Sequence, residues 1–147
     1  MDNELILDCL TELFAKEERA SYRANTAINW KRFIESGNRF KSFFDRNGFL
    51  RAVIYGYGIL GKELAEELES DGIKIEFIID KKGSSIDSKY PVFLMNEEQW
   101  LNYPGVFYHD LVFIVTVSDF NKIRDYFWVK GIKSVISLEE LTRWRGI

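Results

Sequence analysis

One cysteine, Cys9, stands in a chain of 147 residues, which excludes an internal disulfide and any metal site built from several thiolates. On its helical stretch it reads as a small apolar residue. Histidine is equally scarce: His109 is the only one, and alone it assembles no metal cluster, so no metal is expected. Positive charge is not in excess. Twenty lysines and arginines face 23 acids, for a net charge of −3, and the two signs are interleaved rather than run together. That excludes the basic footprint of a nucleic-acid surface and the polybasic patch of a membrane surface. No apolar run reaches the ~18–20 residues that span a bilayer. The N-terminus carries acids where a signal peptide carries cations, so no membrane insertion and a cytoplasmic, reducing location are expected. Internal repeats and low-complexity tracts are absent as well. What is abundant is aromatic: twelve phenylalanines and four tryptophans predict a bulky core or an adhesive surface.

The first 48 residues read as helical. Ile6, Cys9, Leu10, Leu13 and Phe14 recur at spacings of three and four, and Lys16 to Arg19 are expected to face water. Ala27, Trp30, Phe33 and Ile34 form a second periodic stretch, broken at Gly37-Asn38. Phe40, Phe43 and Phe44 make a short third segment stopped by Asn47-Gly48. This aromatic-rich front either covers a sheet or forms a dimer seam.

From Phe49 the rhythm becomes strand, helix, strand. Leu50 to Tyr55 predicts a buried strand, and Leu60, Leu64, Ala65 and Leu68 one face of a helix closed near Gly72. Ile73, Ile75, Phe77 and Ile79 alternate toward a second strand ending at Asp80, and the segment Lys81 to Lys89 reads as a loop. Pro91 restricts Tyr90 to Phe93 to a short or edge strand. Asn96 and Gln99 suggest a capped short helix, and Tyr103-Pro104-Gly105 a turn. Leu111 to Val117 predicts a strand covered on both faces. Ser118 or Asp119 caps a helix ending near Gly131, residues 133–136 form a last strand, and Ser137 with Glu140 opens a terminal helix. The fold class is therefore α/β: a helical segment over residues 1–48, then a Rossmann-like domain over 49–147 whose parallel sheet has about five strands in an order near 3-2-1-4-5.

The chemistry concentrates in Gly56-Tyr57-Gly58-Ile59-Leu60-Gly61, placed between a strand and a helix and followed nineteen residues later by Asp80. The first glycine permits a tight turn and the second lets a pyrophosphate approach the main chain. The third brings helix and strand together, while the helix N-terminus offers free amides to the anion. The other reading is a fold that keeps these glycines for packing and binds nothing. Asp80 can accept ribose hydroxyls and would repel a 2′-phosphate, which favours NAD over NADP. Lys81 and Lys82 either receive a phosphate or belong to a solvated loop. Opposite the glycine loop, Thr116, Ser118 and Asp119 can touch a ribose or sugar, although the last two are equally natural helix caps. Tyr126 and Lys130 match Tyr-x-x-x-Lys, the pair by which short-chain dehydrogenases protonate a carbonyl, but no serine lies at the usual distance upstream.

Several segments are similar to a group of bacterial Rossmann-like modules at the front of sugar acyltransferases, nucleotide-sugar dehydratases and related surface-polysaccharide enzymes. They are Ile54 to Gly61, Phe77 to Asp80, Tyr90-Pro91-Val92, Val112 to Val117 and Gly131 to Ser137. The resemblance implies that Gly56, Tyr57, Gly58, Gly61 and Asp80 contact a nucleotide sugar such as a UDP-sugar, or NAD, without complete catalysis. It further implies a fused or partner catalytic domain, so that a chain ending at Ile147 reads as a truncated piece or a stand-alone module. Lys81 and Lys82 depart from the family, whose members often carry an acid or asparagine there. A more distant likeness, to NAD-sensing regulatory domains, implies an NAD(H)-responsive homodimer. A small NAD-dependent oxidoreductase or epimerase using Tyr126 and Lys130 is the remaining alternative.

Overall fold

A computed structural model of the protein describes residues 3–83 and 86–145, with side chains in the first helix given from residue 9 onward except Phe14. Helix α1 runs over Asn3–Glu35 and α2 over Phe40–Asn47, followed by strand β1 (Arg51–Tyr55), helix α3 (Ile59–Ser70) and strand β2 (Lys74–Ile79). Strand β3 (Val92–Phe93) and a single 3-10 turn (Gln99–Asn102) precede β4 (Leu111–Val115), α4 (Phe120–Val129), β5 (Val135–Ser137) and α5 (Leu138–Arg143). All strand pairs are parallel, in the order β3-β2-β1-β4-β5, which is the expected one.

Every residue of β4 is buried, because helices cover both faces of the sheet. Successive side chains of β1 divide between two cores, as the pleat requires. Ala52 and Ile54 join Phe33, Phe40, Phe44, Leu64, Leu68, Leu138 and Leu141 on one side. Val53 and Tyr55 join Phe77, Trp100, Phe113, Ile123 and Phe127 on the other. Phe33, Phe40, Phe43 and Phe44 are all buried in the first of these, with Phe33 and Phe40 stacked at 5.0 Å between centroids. These phenylalanines of the aromatic front therefore pack into the core on one side of the sheet.

Four local expectations are corrected. The two periodic stretches of the N-terminal segment are one continuous helix, broken only where Gly37 adopts φ 84°. Cys9, Leu10 and Leu13 lie exposed on it, while the side chains of Ile6 and Phe14 fall outside the described residues. In β2 the register slips opposite Ala52 and Val53, so Glu76 is skipped. Ile75 thus faces one core while Phe77 and Ile79 face the other, and the simple alternation fails. Asn96 is not the cap: Glu98 holds the N-cap position of the 3-10 turn, at φ 58°, and makes no side-chain capping bond. Asp119 occupies the N-cap position of α4 at φ 29° and also makes no capping bond. Elsewhere the local chemistry is as read. Gly48 ends α2 in the left-handed region, and Ser137 accepts the Glu140 amide at 3.0 Å. Among the described residues no helix is long and apolar enough to cross a membrane.

Candidate functional site

The glycine loop follows the carboxyl end of β1, beside that of β4, and three glycines there meet three different demands. Gly56 has φ 93°, and a Cβ on it would lie 2.6 Å from the Thr116 hydroxyl. A Cβ on Gly61 would collide with the Gly56 carbonyl, so the helix can start this close to the strand only without one. Around Gly58, by contrast, no protein atom comes within 4 Å of the position a Cβ would take, and its φ of −81° suits any residue. Bareness at Gly58 therefore serves nothing inside the protein. It leaves main chain open to the outside.

Gly58 is also the N-cap residue of α3 and supplies no side chain to cap it. The first α-helical bond runs from the Lys62 amide to the Gly58 carbonyl at 3.0 Å, so the amides ahead of it lack such partners. With the aligned peptide dipoles they make this end of α3 attractive to an anion.

The rest of the loop is pinned. The Gly56 amide donates to the Ile79 carbonyl at 2.8 Å, and the Tyr57 amide to the Asp80 carboxylate at 2.8 Å. The second Asp80 oxygen accepts the Lys82 amide at 2.9 Å. Asp80 thus clamps the glycine loop to the end of β2 and keeps one lone pair per oxygen for a ligand hydroxyl. Thr116 is buried; its hydroxyl donates to the Gly56 carbonyl at 2.8 Å and lies 3.0 Å from the Tyr55 carbonyl, so it holds the turn from below. Tyr55, buried at the same place, has its phenol pushed up by burial and by the charges of Asp80 and Asp119.

Above this floor lies α1. A cleft of about 180 Å³ is lined by Gly58 to Gly61 and Thr116 to Ser118 on one side, and by Arg19, Tyr22 and Arg23 on the other. A second, of about 330 Å³, joins Gly56, Asp80, Lys81, Ser118 and Asp119 to Ala15, Glu18 and Arg19. Gly58, Ile59, Leu60, Gly61, Asp80, Lys81, Thr116, Ser118 and Asp119 are thereby brought together across two adjoining clefts, while Tyr57 turns toward Lys62 on the outer side. Glu18 and Arg19 are exposed, as their charge suggested, and they also border these clefts. Arg19, Tyr22 and Arg23 were not foreseeable as site residues, since helical periodicity gives a face but not what that face meets. Their nearest signal was two arginines four apart.

Tyr126 and Lys130 lie elsewhere. The Tyr126 phenol donates to Glu98 at 2.7 Å, and Lys130 pairs with the same carboxylate at 2.7 Å. Burial and Glu98 push the phenol up to about 12, the opposite of what a proton-transferring tyrosine needs. His109 is exposed at the entrance to β4. Among the described residues no group of three or more His, Cys, Asp or Glu could hold a metal ion.

Comparison of the chain with family models, with curated proteins and with solved structures gave no match.

Proposed function

We propose that the protein is a binding module for a nucleotide or nucleotide sugar, held by its phosphates between the start of α3 and the inner face of α1. The observation that carries this reading is Gly58: main chain bare of neighbours, at an uncapped helix N-terminus, in a cleft whose opposite wall carries Arg19 and Arg23. Amides of the first turn of α3 receive one phosphate, and the two guanidinium groups complete its coordination. The remaining lone pairs of Asp80 accept a ribose hydroxyl, and Ser118 or Asp119 contacts the distal sugar or base. Lys81 and Lys82 stand beside Asp80 and add positive charge at that end.

The two adjoining clefts, of about 180 and 330 Å³, together fall in the ~300–1,000 Å³ usual for small-molecule sites and suit a nucleoside diphosphate with or without a sugar. The resemblance to the front modules of surface-polysaccharide enzymes points the same way, to a UDP-sugar-like ligand delivered to a catalytic domain elsewhere. The oxidoreductase reading loses ground because Tyr126 and Lys130 are tied to Glu98.

A thermal-shift panel of UDP, UDP-sugars, NAD, NADP and coenzyme A tests this. At a hundredfold excess over Kd a true ligand stabilises by about 2.7 kcal/mol, several degrees for a chain of this size. The expected result is a shift with UDP or UDP-sugars that is lost in R19A/R23A. A panel in which nothing moves the melting temperature overturns the proposal.

A further inference from the structure

The outer face of α1, turned away from the domain, carries a pattern of its own. Tyr22, Thr26, Trp30 and Phe33 turn inward and are buried or half-buried. Leu10, Leu13, Ala20, Ala24, Ala27 and Ile28 turn outward and are exposed, with Leu13 and Ile28 each about half accessible, at 50% and 49%. These positions follow the three-and-four spacing of one continuous helical stripe, so α1 is apolar on a face that its own domain leaves uncovered.

Only two charges interrupt the stripe between Leu13 and Lys31. Glu17 precedes Ala24 by seven residues and Lys31 follows it by seven, two turns in each direction. The inner positions repeat the symmetry. Ala20 and Ile28 are four residues either side of Ala24, and Ser21 and Ala27 are three. A helix with this arrangement is complementary to itself when a second copy is laid antiparallel across it. Ala24 then meets Ala24 on the two-fold axis, Ala20 meets Ile28, and each Glu17 faces a Lys31. Parallel pairing would set Glu17 on Glu17 and Lys31 on Lys31.

We propose that the protein self-associates through the outer face of α1, as an antiparallel pair of helices crossing at Ala24. Charge complementarity chooses the occupant. The two ionic positions are opposite in sign and equidistant from the centre, as an isologous two-fold interface requires and a foreign partner does not. Small residues at the crossing allow the two backbones to approach closely. Lys31 is 77% exposed and pairs within its own helix with Glu35 at 3.8 Å, a weak surface contact that Glu17 of a second copy can replace. Residues 13–35 of each copy span about 33 Å. Such a seam sits near the low end of stable interfaces, roughly 1,200 Å², so the dissociation constant is expected in the micromolar range. Leu13, Glu17, Ala20, Ala24, Ile28 and Lys31 do not line the glycine-loop clefts, so self-association stands or falls independently of nucleotide binding.

Sedimentation equilibrium on the full chain gives the first test, with covalent capture as the second. E17K and K31E are each expected to weaken the dimer about tenfold or more, and the double variant E17K/K31E to recover most of it. In a C9S background, A24C should be captured as a disulfide-linked dimer under mild oxidation, whereas N25C, one position off the seam, should not. Ala24 and Asn25 are exposed, so these variants leave the fold intact, and circular dichroism checks that. A chain that stays monomeric at hundreds of micromolar overturns the proposal. So does a dimer in which the double charge swap is no tighter than either single one.

Discussion

The two ends of the sheet treat polar groups in opposite ways. At the amino end, the Arg51 guanidinium binds Asp110 at 2.7 Å, reaches Glu76 at 3.3 Å and donates to the Gly105 carbonyl at 3.0 Å. Glu76 is almost fully buried and also accepts the Tyr103 phenol at 2.8 Å. Donors and acceptors there are matched to one another, and the strand irregularity at Glu76 is what lets the carboxylate reach its partners. At the carboxyl end, the amides of the first turn of α3 have no α-helical partner and lie next to a cleft whose far wall carries two arginines. A closed ionic network is architecture. Donors left open at the other end of the same strands are the ones the proposed phosphate ligand would use.

Breaking the closed end should cost most. Arg51→Met leaves the buried Glu76 without its main cation, and a loss of about 3–5 kcal/mol is expected in urea unfolding. At the open end, Gly61→Ala drives a Cβ into the Gly56 carbonyl, which is backbone and cannot step aside; about 1–3 kcal/mol of stability should go. Asp80→Ala frees the Tyr57 and Lys82 amides. It should cost about 1–2 kcal/mol, and faster hydrogen exchange at Tyr57 would localise the damage.

Gly58→Ala sharpens the contrast most cleanly. No neighbour opposes the new methyl group, so stability should change by less than about 1 kcal/mol while phosphate-ligand binding falls. A variant as weakly stable as Gly61→Ala, or one that binds nucleotide as well as the parent, would contradict the assignment of Gly58 to the ligand.

The smallest effects are in titration. Arg51 holds Asp110 below the usual carboxylate range. Its contribution is therefore complete above about pH 4 and is lost as pH falls through the lowered folded value. Arg51→Met should flatten that acid limb. Tyr126 shifts the other way: with its folded pKa raised to about 12, its contribution holds below pH 10 and is lost as pH rises through about 12. Glu98→Gln should bring the phenol's absorbance titration back toward 10.

Local chemistry was the legible part of this protein. The spacing Gly56, Gly58, Gly61 announces a strand that turns at once into a helix, because backbone without Cβ has few other reasons to recur at those intervals. The apolar run at Leu111 to Val115 announces a strand covered on both faces, and Ser137 its own helix cap. These are short-range demands, met within a few residues of where they arise.

Other features depended on partners distant in the chain. The alternation in β2 fails because Glu76 is drawn out of register toward Arg51, twenty-five residues earlier. Asp80 spends one lone pair of each oxygen on main-chain amides, which no spacing reveals. Arg19 and Arg23 become walls of the candidate site only because α1 crosses the carboxyl ends of β1 and β4. The amino-acid order settled turns, caps and strand types, since those are governed by neighbouring φ, ψ and hydrogen bonds. Which face of α1 meets the glycine loop, and which is left uncovered, was decided by packing Phe33 and Trp30 against Phe40 in a core shared by the whole chain.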